Sequence, residues 1–142
     1  MRGFELAVLI AISATSAPVA NAETPYPVGD EAKYTKAYVH CAGFRTGVAE
    51  QILACIAHER DVQDKRLDVA LAKTLQALPQ SRRTSLTIAE GKWSTYRDAW
   101  CAITDNQTSR PEEQIASGEC RLHETVRQTL NLEVMARDAG AM

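Results

Sequence analysis

Leu86-Thr87-Ile88-Ala89-Glu90-Gly91-Lys92-Trp93-Ser94-Thr95-Tyr96-Arg97-Asp98-Ala99-Trp100-Cys101 decides how the rest of the chain is read. Leu86, Trp93 and Trp100 fall seven residues apart, and Ala89, Tyr96 and Ile103 repeat that step three residues later. Residues three, four and seven apart share one face of a helix, so the stretch predicts a helix over about 81–104 with both tryptophans on its seam. Glu90, Lys92, Ser94, Arg97 and Asp98 fall on the opposite, polar side. Core packing is the expected role of Trp93, between the preceding and the last helix. Trp93, Tyr96 and Trp100 as an exposed ligand platform is the competing reading. Arg97, one turn beyond Trp93, is placed to cover its ring.

Upstream of that helix, Leu67, Leu71, Leu75 and Leu78 make a stripe with Asp61, Asp64, Lys65, Asp68 and Lys73 left to solvent, which predicts a second long helix over about 59–78. Pro79 stops it, and Ser81 stands where a cap for the next helix is expected. With so short a link, the two helices are expected as antiparallel neighbours at the centre of the fold. A short helix from Thr46 through Val48, Ile52 and Cys55 is expected before them, after a loop at Cys41-Ala42-Gly43-Phe44. Asp30 is the expected cap of a further short helical stretch through Tyr34, Ala37, Tyr38 and Cys41. Downstream, Asp105 to Gly118 reads as a loop, and Cys120 opens a last helix with the stripe Leu122, Val126, Leu130 and Val134. No segment alternates with period two, so the fold class is all-α: a small disulfide-stapled bundle of about four helices.

The ends read differently. Residues 1–22 combine Arg2, the apolar run Leu6 to Ile12 and the ending Ala20-Asn21-Ala22, the pattern of a signal peptide cleaved near Ala22. That run is too short for a membrane anchor. A Pro- and Gly-containing tether is expected over 23–39, a folded domain over 40–136 and a frayed end over 137–142. Removing Arg2 and Glu5 leaves 15 basic residues (16 minus 1) and 17 acidic ones (18 minus 1), so the net charge stays at −2. That balance makes no case for nucleic acid. The expected location is the periplasm or the secreted fraction.

Four cysteines, Cys41, Cys55, Cys101 and Cys120, read as a disulfide framework in such a chain. Three pairings are possible. Adjacent pairing, Cys41 with Cys55 and Cys101 with Cys120, is favoured because it closes two short loops. Cys55 and His58 have helical i,i+3 spacing, yet no second ligand pair accompanies them, so no metal is expected. The chain lacks C-x-x-C, C-x-x-C-H, G-x-S-x-G, H-E-x-x-H and any glycine-rich phosphate loop, so neither an enzyme nor a cofactor is expected. Asn106-Gln107-Thr108 has the form of a glycosylation sequon, read here as incidental.

Leu86, Ala89, Trp93, Tyr96-Arg97-Asp98 and Cys101 together resemble the signature of the LprI-like lysozyme-inhibitor domain. Cys55 followed by Asp64, Leu67 and Leu71 is similar to the family's segment after its second cysteine, and Cys120 followed by Thr125 to its closing segment. The likeness spans Cys41 to Leu132. Departures are Glu90 in place of glutamine, Asp68 in place of asparagine, Leu71 in place of an aromatic residue and Gln128 in place of arginine. The resemblance implies a small exported helical domain, with Leu67, Leu86, Trp93, Tyr96, Arg97 and Asp98 as its signature core. It also implies a protein partner, with lysozyme the leading candidate and an envelope-stress or assembly role as the alternative. The segment from Asp105 to Glu119, with Asn106, Arg110 and Glu112, is the expected partner-binding loop, because the last two cysteines would tie its ends. The oligomeric state is left open.

Overall fold

The computed structural model of this chain describes residues 33–43, 48–103 and 110–140, the side chains of residues 42 and 43 excepted. The expected signal peptide at 1–22, residues 23–32 of the expected tether with Asp30, the sequon with Asn106, and Ala141 and Met142 lie outside the described residues. Among the described residues the regular elements are four helices, α1 (Lys36–Gly43), α2 (Ala49–Ala77), α3 (Gln80–Ala102) and α4 (Pro111–Gly140), in the all-α architecture expected.

Local chemistry sets the boundaries. Thr35 caps α1, its hydroxyl accepting the Tyr38 N–H at 3.2 Å. Cys41 to Gly43, expected as loop, belong to α1. α2 is one helix where two were expected, because nothing from Cys55 to His58 breaks the ladder of hydrogen bonds. Leu78 is extended (φ −85, ψ 148), the conformation forced on a residue before proline, and it ends α2. Pro79, not Ser81, precedes the first turn of α3 and offers no side-chain cap. Arg83 Nε instead donates to the Leu78 carbonyl at 2.7 Å and holds the corner. α4 starts at Pro111, a residue whose missing N–H costs nothing in a first turn, so Cys120 is interior to the helix and does not open it. The same helix continues to Gly140, through most of the end expected to fray.

The pairing of the helices departs from expectation. The centre is α4, which packs along α2 on one side and α3 on the other, while α2 and α3 scarcely touch. α2 and α4 run parallel: Ile56 meets Leu122 at one end, and the Thr74 hydroxyl donates to the Leu132 carbonyl at 3.0 Å near the other. α3 runs antiparallel to α4, from Leu86 beside Leu132 to the Cys101–Cys120 disulfide. Two apolar clusters result. Tyr38, Ile56, Leu122 and Val126 join α1, α2 and α4, and Ala70, Leu78, Leu86 and Leu132 join α2, α3 and α4. Burying each of the larger side chains contributes about 1.5–3 kcal/mol.

Helical phase explains which stripes turned inward. Four-residue steps advance about 40° each, so along Leu122, Val126, Leu130 and Val134 the last lies about 120° from the first. Val134 is exposed accordingly, and Thr129 and Leu132 complete the buried face. In α2 the buried face is Ile56, Glu59, Gln63, Ala70 and Thr74, with Leu67, Leu71 and Leu75 half-buried beside it. Gly118 lets the two long helices approach: a Cβ there would stand 3.0 Å from Ile56 Cγ2.

Residues 33–39 are docked where a tether was expected. Glu59, with no exposed surface, accepts the Thr35 N–H at 3.0 Å, the Thr35 hydroxyl at 2.5 Å and the Gln63 amide at 2.8 Å. Gln63 and Arg66 both donate to the Lys33 carbonyl. Tyr34 is 2.7 Å from His123 Nδ1 of α4, and the two rings meet edge to face. Cys41–Cys55 closes the attachment of α1 to α2. Gln63 Oε1 is buried and accepts no hydrogen bond from any described residue.

Candidate partner-binding surface

α3 is held by a narrow seam. Leu86, Glu90, Arg97 and Cys101 are four, seven and four residues apart, the spacing of one helical face. Glu90 accepts from Gln128 Nε2 at 2.5 Å, and Arg97 Nη1 donates to Thr125 Oγ1 at 3.1 Å. Leu86 and Cys101 are the buried residues of α3. Trp93 lies about 50° to one side of the centre of this seam and is half-buried, so its expected place between the neighbouring helices is corrected. The expected cation–π contact is present, with the Arg97 guanidinium 5.0 Å from the Trp93 ring.

Arg97 Nε also donates to Asp98 Oδ1 at 3.0 Å, and Asp98 lies 3.9 Å from Arg121, whose Nη1 donates to Ser117 Oγ at 2.8 Å. Trp93, Arg97 and Asp98 of the signature run thus meet Thr125 of the closing segment on one polar seam beside the Cys101–Cys120 disulfide. Asp98 is more than half exposed, so its ion pairs contribute little. Tyr96 leaves this group. It is 54% exposed, and its ring is nearly parallel to that of Trp100, which is 52% exposed, at 6.2 Å. With Ile103 also exposed, the second half of the tryptophan seam faces outward, because α4 is the one helix that packs closely on α3. Leu67 is half-buried at the edge of the second apolar cluster.

The expected binding loop is smaller than the sequence suggested. Arg110 immediately precedes α4, strongly exposed and paired with Glu113, so it is not an isolated cation at a loop tip. Glu112 is exposed in the first turn of α4. Cys101 pairs with Cys120 and Cys41 with Cys55, the adjacent pairing favoured above. Cys55 is therefore unavailable as a metal ligand beside His58. Among the described residues no group of three or more His, Cys, Asp or Glu is placed to hold a metal ion.

Among the described residues, open clefts lie at both ends of the α2–α4 pair. The larger, about 700 Å³, lies between α2 and α4 at Lys73, Gln76, Glu133 and Arg137. The smaller, about 260 Å³, lies at the other end of the same pair, where Arg60 and Arg121 face it from the two helices. Sequence reasoning missed the anchor around Glu59 and this second cleft. Glu59 and Gln63 occupy the positions of a stripe with Ile52, Ile56 and Leu67, a polar pair within an apolar phase that is the signal of a buried network.

The sequence profile of a family described as "Lysozyme inhibitor LprI" matches residues 41–132, most of the chain. Those bounds run from the first cysteine to Leu132 and take in both disulfides. No curated protein matches the chain, and no solved structure does.

Proposed function

The chain belongs to the LprI lysozyme inhibitor family, and we propose that it is an exported, non-enzymatic domain that binds a protein partner and inhibits lysozyme. The family match across both disulfides carries this reading. Two disulfides suit an oxidising compartment, the periplasm or the secreted fraction. No helix among the described residues is long and apolar enough to cross a membrane. The side chains gathered around Arg97, Asp98 and Thr125 hold one another in place, and no nucleophile–base pair stands among them. Such an arrangement suits rigid presentation, which lowers the ordering cost of binding. The proposed contact region is the disulfide-tied corner between α3 and α4, including the first turn of α4 with Arg110 and Glu112.

A turbidity assay on cell-wall substrate tests the reading. Micromolar protein starting at Glu23 is expected to slow at least one lysozyme type. If several types are unaffected, the inhibitor reading is refuted and the envelope-stress or assembly role takes its place. If inhibition survives Arg110→Glu, the contact region lies elsewhere on the molecule.

A further inference from the structure

We propose that the smaller cleft between α2 and α4 is a receptor for one acidic side chain of the partner protein. Its polar wall is Arg60, Arg121, Gln114 and Ser117, and its apolar floor is Leu53, Ile56 and Ala57. Among the described residues no carboxylate lines it. Arg60 is half-buried and makes no hydrogen bond or ion pair with any described residue. Arg121 is already oriented, since Ser117 Oγ accepts one of its N–H groups at 2.8 Å and Ser117 is itself buried. The nearest carboxylate to Arg121, Asp98, stands 3.9 Å away on α3 and is engaged by Arg97.

A partly desolvated guanidinium with no counter-charge is an unfavourable state that an incoming anion relieves. The fork of an arginine matches a carboxylate, and one arginine on each helix places two forks around a single site. Size narrows the ligand. At about 260 Å³ the cleft is below the range of roughly 300–1,000 Å³ usual for small-molecule sites. An acidic side chain fits: its carboxylate reaches the arginines while its methylenes lie on Ile56 and Ala57. The approach allowed by Gly118, which brings Ile56 against α4, makes that floor.

The inference rests on the protein-binding reading but not on the partner being lysozyme, and its test has two separate arms. In the first, the ¹⁵N-labelled chain from Glu23 is titrated with N-acetyl-glutamate methylamide at fixed ionic strength, with the glutamine analogue as the neutral control. Saturable shifts at Arg60 Nε and at the Ser117 and Gly118 amides are expected with the acid, at millimolar concentration, and not with the amide. Arg60→Gln is expected to weaken the acid's binding about tenfold or more, with the circular dichroism spectrum unchanged. Equal responses to the two probes, or no localised response to the acid, overturn the proposal. In the second arm, Arg60→Glu is expected to weaken inhibition of a susceptible lysozyme at least tenfold, and unchanged inhibition removes the cleft from that interface. Failure of the wild-type chain to inhibit any lysozyme refutes the partner's identity, and the first arm still decides the site.

Discussion

Glu59→Ala removes a side chain with no exposed surface that accepts three hydrogen bonds, two from Thr35 and one from Gln63. Hydrogen bonds to a charged group contribute roughly 1.5–3 kcal/mol each, although within one network they do not add. Part of the loss is offset, because the carboxylate no longer has to be desolvated. The net cost is expected to be about 3–4 kcal/mol, a large share of the 5–15 kcal/mol typical of a domain. Glu59→Gln keeps the shape and one carbonyl acceptor, so about 1–2 kcal/mol is expected. Urea titration of the two variants and the parent measures both losses from the shift in midpoint at constant slope. Hydrogen exchange adds a local readout: the Tyr38 and Val39 amides, both bonded to Thr35, are expected to lose protection before the amides around Leu122. An alanine variant within about 1 kcal/mol of the parent, with α1 still protected, would refute the view that this carboxylate anchors the first helix.

Three further outcomes follow from packing. Gly118→Ala is expected to destabilise by about 1–2 kcal/mol, because its Cβ would crowd Ile56 at 3.0 Å, whereas Gly91→Ala, with nothing within 4 Å, is expected to stabilise by about 0.5–1 kcal/mol; midpoints moving the same way would contradict this. Replacing both Cys101 and Cys120 by serine should cost roughly 3 kcal/mol for a loop of 19 residues, read from the same titration. Trp93→Ala should cost about 1–2 kcal/mol, below the roughly 3–5 kcal/mol of a buried tryptophan, since its ring is half-exposed and roofed by Arg97.

How much of this was legible in the sequence varies with the physics involved. Helix existence was written in local terms, in Pro79, in the leucine stripe of α2 and in the tryptophan spacing of α3. The disulfide partners were legible because both loops are short. Helix pairing was not. The heptad step of Leu86, Trp93 and Trp100 says that these residues share a flank, but whether a neighbour covers that flank depends on α4, which lies beyond the 104–109 connection. The resemblance named Arg97, Asp98 and Thr125 but not their convergence, and it did not name the arginine cleft, because Arg60 and Arg121 are far apart in sequence. Glu59 entered the sequence reading only as the first residue of the 59–78 helix, although its spacing from Ile52 and Ile56 places it in the buried phase.

The central position of α4 dictates when this chain can acquire its structure. A chain that ends at Ala102 has α1, α2 and α3 but lacks Leu122, Val126 and Leu132, the residues around which both apolar clusters close. α2 and α3 have almost no surface in common on which to fold by themselves. The Cys41–Cys55 loop can close early, yet the bundle has no core until its last 30-residue helix is present. During synthesis the chain therefore remains a substrate for unfolded-chain machinery until α4 has been made, and a truncation before Leu122 removes the residues around which both apolar clusters close.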